Sequence, residues 1–396
     1  MAKIKDLLEQ INPEIRELLL EMGAKDIFKC YQCGKCASTC PWFQVGTYDF
    51  PVYRTALEAV LGTLAASEDK ELLNREIDKV YRCVGCEACV DQCPHGVSIP
   101  MIFRAARRLL VDFGSYPEVL RSTVRRIRDT GNPLGENREK RIEWLEAGSP
   151  PTFQSGMDFL YFAGCIPAYD QRARKVAQAT HGLLTLTGAK FGVLGAEENC
   201  CCEIVRRIGA ESVFQQLAKA NIDAFTSKGV ERIFVTCPHC YDSFKNEYPD
   251  MGSRFEVLHS TQYLLGFVRE GKIRFKREFE KKVVYHDPCV LGRQNKIYDE
   301  PRELLRAVPG LELIEVEDFN RSLSVCCGAG SGGLWMEWDK EERIATVRAK
   351  QLISTGADVI AVACPYCLQM IEETTKSLGS QILVMDIAEI LAATCL

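Results

Sequence analysis

Apolar positions in the first 22 residues fall at Ile4, Leu7, Leu8, Ile11, Ile15, Leu18 and Leu19. That spacing places them on one face of a helix, with a break near Asn12-Pro13. Residues 53–64 and 70–80 keep the same period, and Ser67-Glu68-Asp69 forms a helix opening between them. Residues 99–113 read as a helix with a basic face at Arg104, Arg107 and Arg108. Beyond 114 the periodicity lapses into Gly, Pro and charge, which predicts a connector with one or two short helices. Its basic run reads as a solvated surface, or as a dock for an acidic partner. From 157 the pattern changes again. Short β-rich runs at 159–163, 232–236, 283–285 and 359–362 alternate with helical stretches at 170–187, 238–248 and from Pro365.

This last part also repeats itself. MDFLYFAGC, ending at Cys165, matches KKVVYHDPC, ending at Cys289, and ERIFVTCPHC matches ADVIAVACPYC. The alternation predicts two α/β units with parallel sheets, related by a pseudo-twofold. The whole reads as a multidomain α+β/α/β chain. A mostly helical domain covers 1–115, a connector 116–156, and the two α/β domains 157–280 and 281–396.

The 396 residues, 46% of them apolar, suffice for two or three cored domains. A net charge of −5 gives no sign of a nucleic-acid partner. No run of about 18 apolar residues predicts a membrane span. The N-terminal helix is charged, without the apolar centre of a signal peptide. In that setting the 20 cysteines read as metal-binding thiols of a cytoplasmic or cytosol-facing protein rather than as disulfides.

Cys30, Cys33, Cys36 and Cys40-Pro41 form a C-x2-C-x2-C-x3-C-P run, and Cys83, Cys86, Cys89 and Cys93-Pro94 form a second. Two-residue gaps let consecutive thiolates curl around one 4Fe-4S cubane, while the fourth cysteine of each run ligates the other cluster. Cys30, Cys33, Cys36 and Cys93 are therefore assigned to one cubane, and Cys83, Cys86, Cys89 and Cys40 to the other. Zinc sites use two C-x2-C pairs instead. Gly34 and Gly85 let backbone N–H groups approach the sulfurs.

Cys165, Cys200, Cys201, Cys237 and Cys240 recur as Cys289, Cys326, Cys327, Cys364 and Cys367. The gaps are 34 and 35 residues in the first copy, and 36 and 36 in the second. Five thiolates exceed the needs of a cubane or a zinc ion, and an adjacent pair points to a more open cluster. Every set lies just past strand C-termini, where open α/β sheets place ligands.

These motifs carry a resemblance. HDPCVLGR at 286–293, Tyr298-Asp-Glu-Pro-Arg302, CCGAGSGG at 326–333 and CPYC at 364–367 resemble the D-type polypeptide of heterodisulfide reductase and its CCG-motif relatives. AGC at 163–165, ENCCCEIVRRIG at 198–209 and CPHC at 237–240 belong to the same pattern, so the resemblance covers nearly the whole chain. The insert between the two runs resembles the ferredoxin half of fumarate reductase iron–sulfur subunits.

The resemblance implies a fusion of the soluble enzyme's C-type and B-type polypeptides: a dicluster ferredoxin domain, then two CCG domains, each five-cysteine set holding a non-cubane 4Fe-4S cluster. It implies that a disulfide binds between the paired clusters and is split by one electron from each, the type substrate being the heterodisulfide of coenzymes M and B. The implied partners are a flavin-containing subunit or a membrane cytochrome b, within a hetero-oligomer, and a small-molecule disulfide or thiol. The cytochrome would hold the chain at the cytoplasmic membrane face. The alternative is an electron-transfer subunit of a flavin-based bifurcating complex such as class II benzoyl-CoA reductase, or of a glycolate or lactate oxidase complex.

Cys202 stands where the family has the glycine of CCG. The pair Cys200/Cys201 and the pair Cys201/Cys202 both remain open, though Glu203 and the Arg206-Arg207-Ile208-Gly209 match favour the first. His239 and His286 adjoin cluster cysteines and read as packing groups or as proton donors to leaving thiolates. His95, His181 and His259 read as structural, and Cys395 as a free thiol. Gly328, Gly330, Gly332 and Gly333 form no dinucleotide fingerprint.

Overall fold

The computed structural model describes residues 13–46, 50, 52–60, 70–145, 150–339 and 342–396. The opening part of the first expected helix and the Ser67 opening lie outside them.

Two compact units emerge. One comprises Met1–Ser122 with Ile204–Val213 and Gly328–Ile344. Its described helices include Pro13–Glu21, Val52–Val60, Lys70–Arg82 and Ile99–Asp112. The last buries Ile102, Phe103, Ala105, Ala106 and Leu109, and Phe103 stacks on Phe50 at 6.0 Å. Its expected basic face is only partly a face. Arg107 is buried and donates to the carbonyls of Val80 (2.8 Å) and Cys83 (2.6 Å). A buried guanidinium needs such partners, because an unpaired charge away from water is costly. The two later segments are packed in closely. A Cβ at Gly209 would meet the Arg107 carbonyl carbon at 2.4 Å, and one at Gly330 would meet the Val84 carbonyl oxygen at 2.4 Å.

The other unit comprises Thr123–Glu203, Phe214–Cys327 and Ala345–Leu396, and holds two four-stranded sheets. The first contains β1 (Phe159–Phe162), β2 (Phe191–Gly192), β3 (Arg232–Val235) and β4 (Glu256–His259), in the order β2-β1-β3-β4. The second contains β5 (Lys282–Tyr285), β6 (Glu312–Ile314), β7 (Val359–Val362) and β8 (Leu383–Asp386), in the order β6-β5-β7-β8. All described pairings are parallel. The registers also correspond: Val235 faces His259 as Val362 faces Asp386.

Central β1 and β7 are buried apolar runs throughout, and β3 and β5 are so after one exposed first residue, because helices cover both faces of a parallel sheet. The edge strands β2, β4, β6 and β8 carry no comparable run. In the first sheet, Phe159, Tyr161, Phe191 and Phe234 interlock with Trp144 and Tyr263 at ring separations of 5.0–6.4 Å. Each such pair is worth about 0.5–1.5 kcal/mol beyond its burial. Both sheets reverse direction of growth between their two central strands, β1/β3 and β5/β7, which opens a crevice at the strand C-termini.

His259 and Asp386 end β4 and β8 and cap the helices that follow, each through a reciprocal capping box. His259 is structural, as expected: its ring meets Thr261 Oγ1 and the Thr236 carbonyl, and burial lowers its pKa to about 4. Burial raises Asp386 to about 8. An unfolded aspartate titrates near about 4, so the folded chain binds the extra proton between those values. The Asp386 contribution to stability therefore falls as pH rises from about 4 towards 8, while His259, with its lowered pKa, acts in the opposite sense up to about 6.5. Asp386→Asn retains a capping amide and should remove the fall above about 6.5, as thermal unfolding across this pH range would show.

Candidate metal centres

None of the twenty cysteines is joined in a disulfide. Cys30, Cys33, Cys36 and Cys93 line one pocket of about 390 Å³ in the N-terminal unit. Cys40, Cys83 and Cys86 line another of about 330 Å³, and Cys89 borders both. Local geometry brings backbone donors to the sulfurs. The N–H of Gln32 lies 3.4 Å from Cys30 Sγ, and that of Val97 3.4 Å from Cys93 Sγ. Gly34 and Gly85 have φ of +77° and +63°, conformations that glycine adopts without strain. Cys33 is exposed, whereas Cys40, Cys83, Cys86 and Cys89 are buried.

The five-cysteine sets lie at the two crevices of the other unit. Cys165 begins a short helix after β1. Cys237 and Cys364 are N-cap residues after β3 and β7, with Pro238 and Pro365 opening the next helices. Proline suits that first helical position, and Cys240 and Cys367 lie within the same first turns. Free N–H groups and the helix dipole there favour thiolate. Just past Cys240 and Cys289 the backbone widens into π turns at Ser243–Glu247 and Val290–Gln294.

Within the second set, Cys289 and Cys326 sulfurs are 3.6 Å apart, and Cys327 and Cys367 are 3.3 Å apart. The first set is joined likewise, Cys165 to Cys200 and Cys201 to Cys240. Hydrogen bonds from Cys200 and Cys240 lower the Cys201 pKa to about 7, against burial. Cys326, Cys367 and His286 hold Cys327 well below its usual value. The sets also meet each other: Cys237 and Cys364 are hydrogen-bonded across the repeats. Beside them, His239 packs on Tyr366 at 4.6 Å, with its Nδ1 3.1 Å from the Glu203 carboxylate. Burial opposes protonation of His239, but Glu203 and Cys364 raise its pKa well above normal.

Cys202 is fully buried, with φ of +64° where Gly328 has +89°. Its sulfur turns to the Cys200 carbonyl at 3.1 Å, and its N–H faces Cys200 Sγ at 3.3 Å.

Two side chains at these sites, Arg141 and Arg348, escape a motif reading. Arg141, from the expected connector, is 3% exposed and reaches Cys165 Sγ at 3.7 Å and Glu198 at 3.1 Å. Arg348 Nε donates to His286 Nδ1 at 3.0 Å, while His286, Cys327 and Cys367 place their ligand atoms within 4.8 Å of one another. Arg302 forms a two-pronged pair with Asp287 at 2.7 and 2.8 Å. Only the matching HDPC and DEPR stretches hinted at that pair.

A donor set made of thiols, most of them buried, and met by N–H groups and guanidinium, fits iron–sulfur clusters. Family comparison agrees. Residues 26–97 match the 4Fe-4S dicluster domain, and residues 159–245 and 283–372 match the cysteine-rich CCG domain. The chain belongs with the proteins that join a 4Fe-4S dicluster domain to two cysteine-rich CCG domains. It is 32% identical to the EtfAB:quinone oxidoreductase of Syntrophomonas wolfei, over 95% of this chain and 59% of that one. It is 31% identical to the probable iron–sulfur-binding oxidoreductase FadF of Bacillus subtilis, over 94% and 60%. The D-type polypeptide of the dihydromethanophenazine:CoB–CoM heterodisulfide reductase of Methanosarcina barkeri is 29% identical, over 94% of both chains. The chain thus spans about three fifths of the first two relatives and nearly all of the third. Among the described residues, no helix is long and apolar enough to cross a membrane.

Proposed function

We propose that this chain is the disulfide-reducing member of a larger complex, fed with electrons by a protein partner. In this reading Cys30, Cys33, Cys36 and Cys93 hold one cubane, and Cys40, Cys83, Cys86 and Cys89 the other. Cys165, Cys200, Cys201, Cys237 and Cys240 hold one non-cubane cluster, and Cys289, Cys326, Cys327, Cys364 and Cys367 its mate. When bound, these groups supply one-electron storage and open iron positions. The protein's own part is to fix the two five-thiol sets side by side. Glu203 orients His239 between them, and Tyr366 packs on the imidazole. The boundaries 1–115, 116–156, 157–280 and 281–396 belong to this reading, as does a pseudo-twofold between the α/β domains. Matching strand orders and cysteine positions support it.

One observation carries the proposal. Both five-cysteine sets are complete, and they touch through Cys237 and Cys364, so a ligand with two sulfurs can span them. The similarity to the heterodisulfide reductase polypeptide supports it. The similarity to the quinone oxidoreductase favours a second reading, in which the chain only relays electrons between a flavoprotein and a quinone. Anaerobic single turnover separates the two. Reduced protein mixed with the CoB–CoM heterodisulfide should release two thiols per disulfide, consuming two electrons and two protons. Protein that reoxidises with quinone and releases no thiol would establish the relay.

The ligand pair of the first set is read as Cys200 and Cys201, because Cys202 shares the left-handed backbone of Gly328 and its thiol is engaged by the Cys200 carbonyl. Cys202→Gly is expected to keep all iron. Relief of about 1 kcal/mol of backbone strain should offset the lost sulfur packing, leaving stability within about 1 kcal/mol. Iron analysis and denaturant unfolding check both points.

A further inference from the structure

We propose that electrons enter the chain at the site of Cys30, Cys33, Cys36 and Cys93, from an acidic one-electron carrier protein that docks over Phe28 and Tyr31. The inference rests on the reading that both N-terminal runs hold cubanes, and it gives the two an order and a partner.

All twenty cysteines are among the described residues, and Cys33 alone of them is exposed. Cys30, Cys36 and Cys93 are half-buried, whereas Cys40, Cys83, Cys86 and Cys89 are buried. Electron tunnelling falls steeply with distance, so a protein donor is served by the first site rather than the second. Cys89 borders both pockets, which gives the electron its next step inward.

The surface at this mouth is apolar where water would favour polar groups. Phe28 is 71% exposed and Tyr31 77%, more than any other large apolar side chain among the described residues. The 3-10 turn Ala24–Lys29 buries Ala24 and Ile27 and leaves Phe28 on its outer side, just before Cys30. Tyr31 lines the pocket and packs on His95 at 4.1 Å, which holds its ring at the rim. Exposed aromatic side chains grouped in this way mark a contact surface for another protein.

Charge selects the partner. The whole chain carries −5, yet residues 22–39 hold Lys25, Lys29 and Lys35 against one acid, Asp26. All three lysines are exposed. Asp26 is already met by Lys29 at 2.7 Å and by the Ser98 N–H at 3.4 Å. Asp91, the one acid on 89–99, accepts from the Gln92 amide at 3.2 Å. Glu17 and Glu21, on the preceding helix, line no part of the pocket. Lysines flanking an aromatic pair suit an acidic surface, whose approach they also steer. Each docking event passes one electron: the carrier is oxidised by one, a cubane is reduced by one, and no bond is made or broken. Two such events supply one disulfide.

Stopped-flow mixing with flavodoxin hydroquinone, an acidic one-electron donor, tests this. Iron content and the EPR signals of the dithionite-reduced cubanes are measured alongside. In wild type the second-order rate of cubane reduction should fall about tenfold between about 50 and about 500 mM salt. Lys25→Gln/Lys29→Gln/Lys35→Gln should be about tenfold slower at low salt and lose most of that dependence, with iron and EPR signals as in wild type. Phe28→Ser should be slower at every salt concentration while keeping the dependence. Carbodiimide should join flavodoxin carboxylates to Lys25, Lys29 or Lys35. Wild-type rates in the triple variant at full iron, or cross-links confined to other lysines, would refute the docking face. Absence of salt-sensitive reduction in wild type at full iron would refute the acidic carrier. Iron too low for two cubanes would overturn the cluster reading, and the inference with it.

Discussion

Cys326→Ala is expected to remove about 4 of roughly 16 irons per chain, as four 4Fe-4S clusters require, and to abolish disulfide turnover. Cys326 is 1% exposed and sits 3.6 Å from Cys289. Its loss strips the second set of one member of its adjacent pair and takes from Cys289 the sulfur it meets there. The N-terminal runs belong to a different unit, so both cubane signals should persist. The matched change Cys395→Ala touches no set and should alter neither iron nor turnover. Full iron and unchanged turnover in Cys326→Ala would show that the CCG motif at 326–328 is not a ligand pair.

Arg302→Ala is expected to destabilise the second α/β repeat by about 3–5 kcal/mol, the usual cost of breaking a buried ion pair from one side. Arg302 is fully buried. It holds Asp287 through two hydrogen bonds, grips Glu315 at 2.7 and 2.9 Å, and lies over the Tyr285 ring. Asp287 also accepts the Arg321 N–H at 2.8 Å, which ties the chain just before Cys289 to the loop leading to Cys326. Removing the guanidinium strands the Asp287 charge and loosens both approaches to the second site, so iron retention should fall along with stability. Restoring balance with Asp287→Asn in the same chain should recover part of the loss, because the two changes share one interaction. Urea unfolding of the single and double variants measures this. A single-variant loss under about 1 kcal/mol, the ceiling for ordinary exposed pairs, would mean that the pair is not a structural clasp.

The sequence disclosed the cysteine sets because their spacing is local and repeated, and the central strands because they are continuous apolar runs. Cysteines at 165, 237, 289 and 364 follow such runs directly, so their place at the sheet crevices was legible. The edge strands were not. Phe191–Gly192 is too short to show any period, and Glu256–His259 and Leu383–Asp386 are each buried at only two of four positions. The charge network was hidden for another reason. Arg141 lies 24 residues before Cys165 and 57 before Glu198, inside a stretch whose charges otherwise resemble a solvated surface. Only the fold shows that one of those arginines turns inward, as Arg107 does in the N-terminal unit. Cys202 shows the same limit: spacing allowed two ligand pairs, and only the fold shows that Cys202 shares a left-handed backbone with Gly328.

The most direct test of the paired-site reading is low-temperature EPR of the anaerobically purified protein, with iron quantified, before and after coenzyme M or coenzyme B thiol is added under mild oxidation. A paramagnetic signal that appears only with thiol, on a background of about 16 irons per chain, is the result expected if the five-cysteine sites bind sulfur substrates. Full iron with only reduced-cubane signals, unmoved by either thiol or by the heterodisulfide, would contradict that reading and leave the chain as a relay for chemistry done elsewhere.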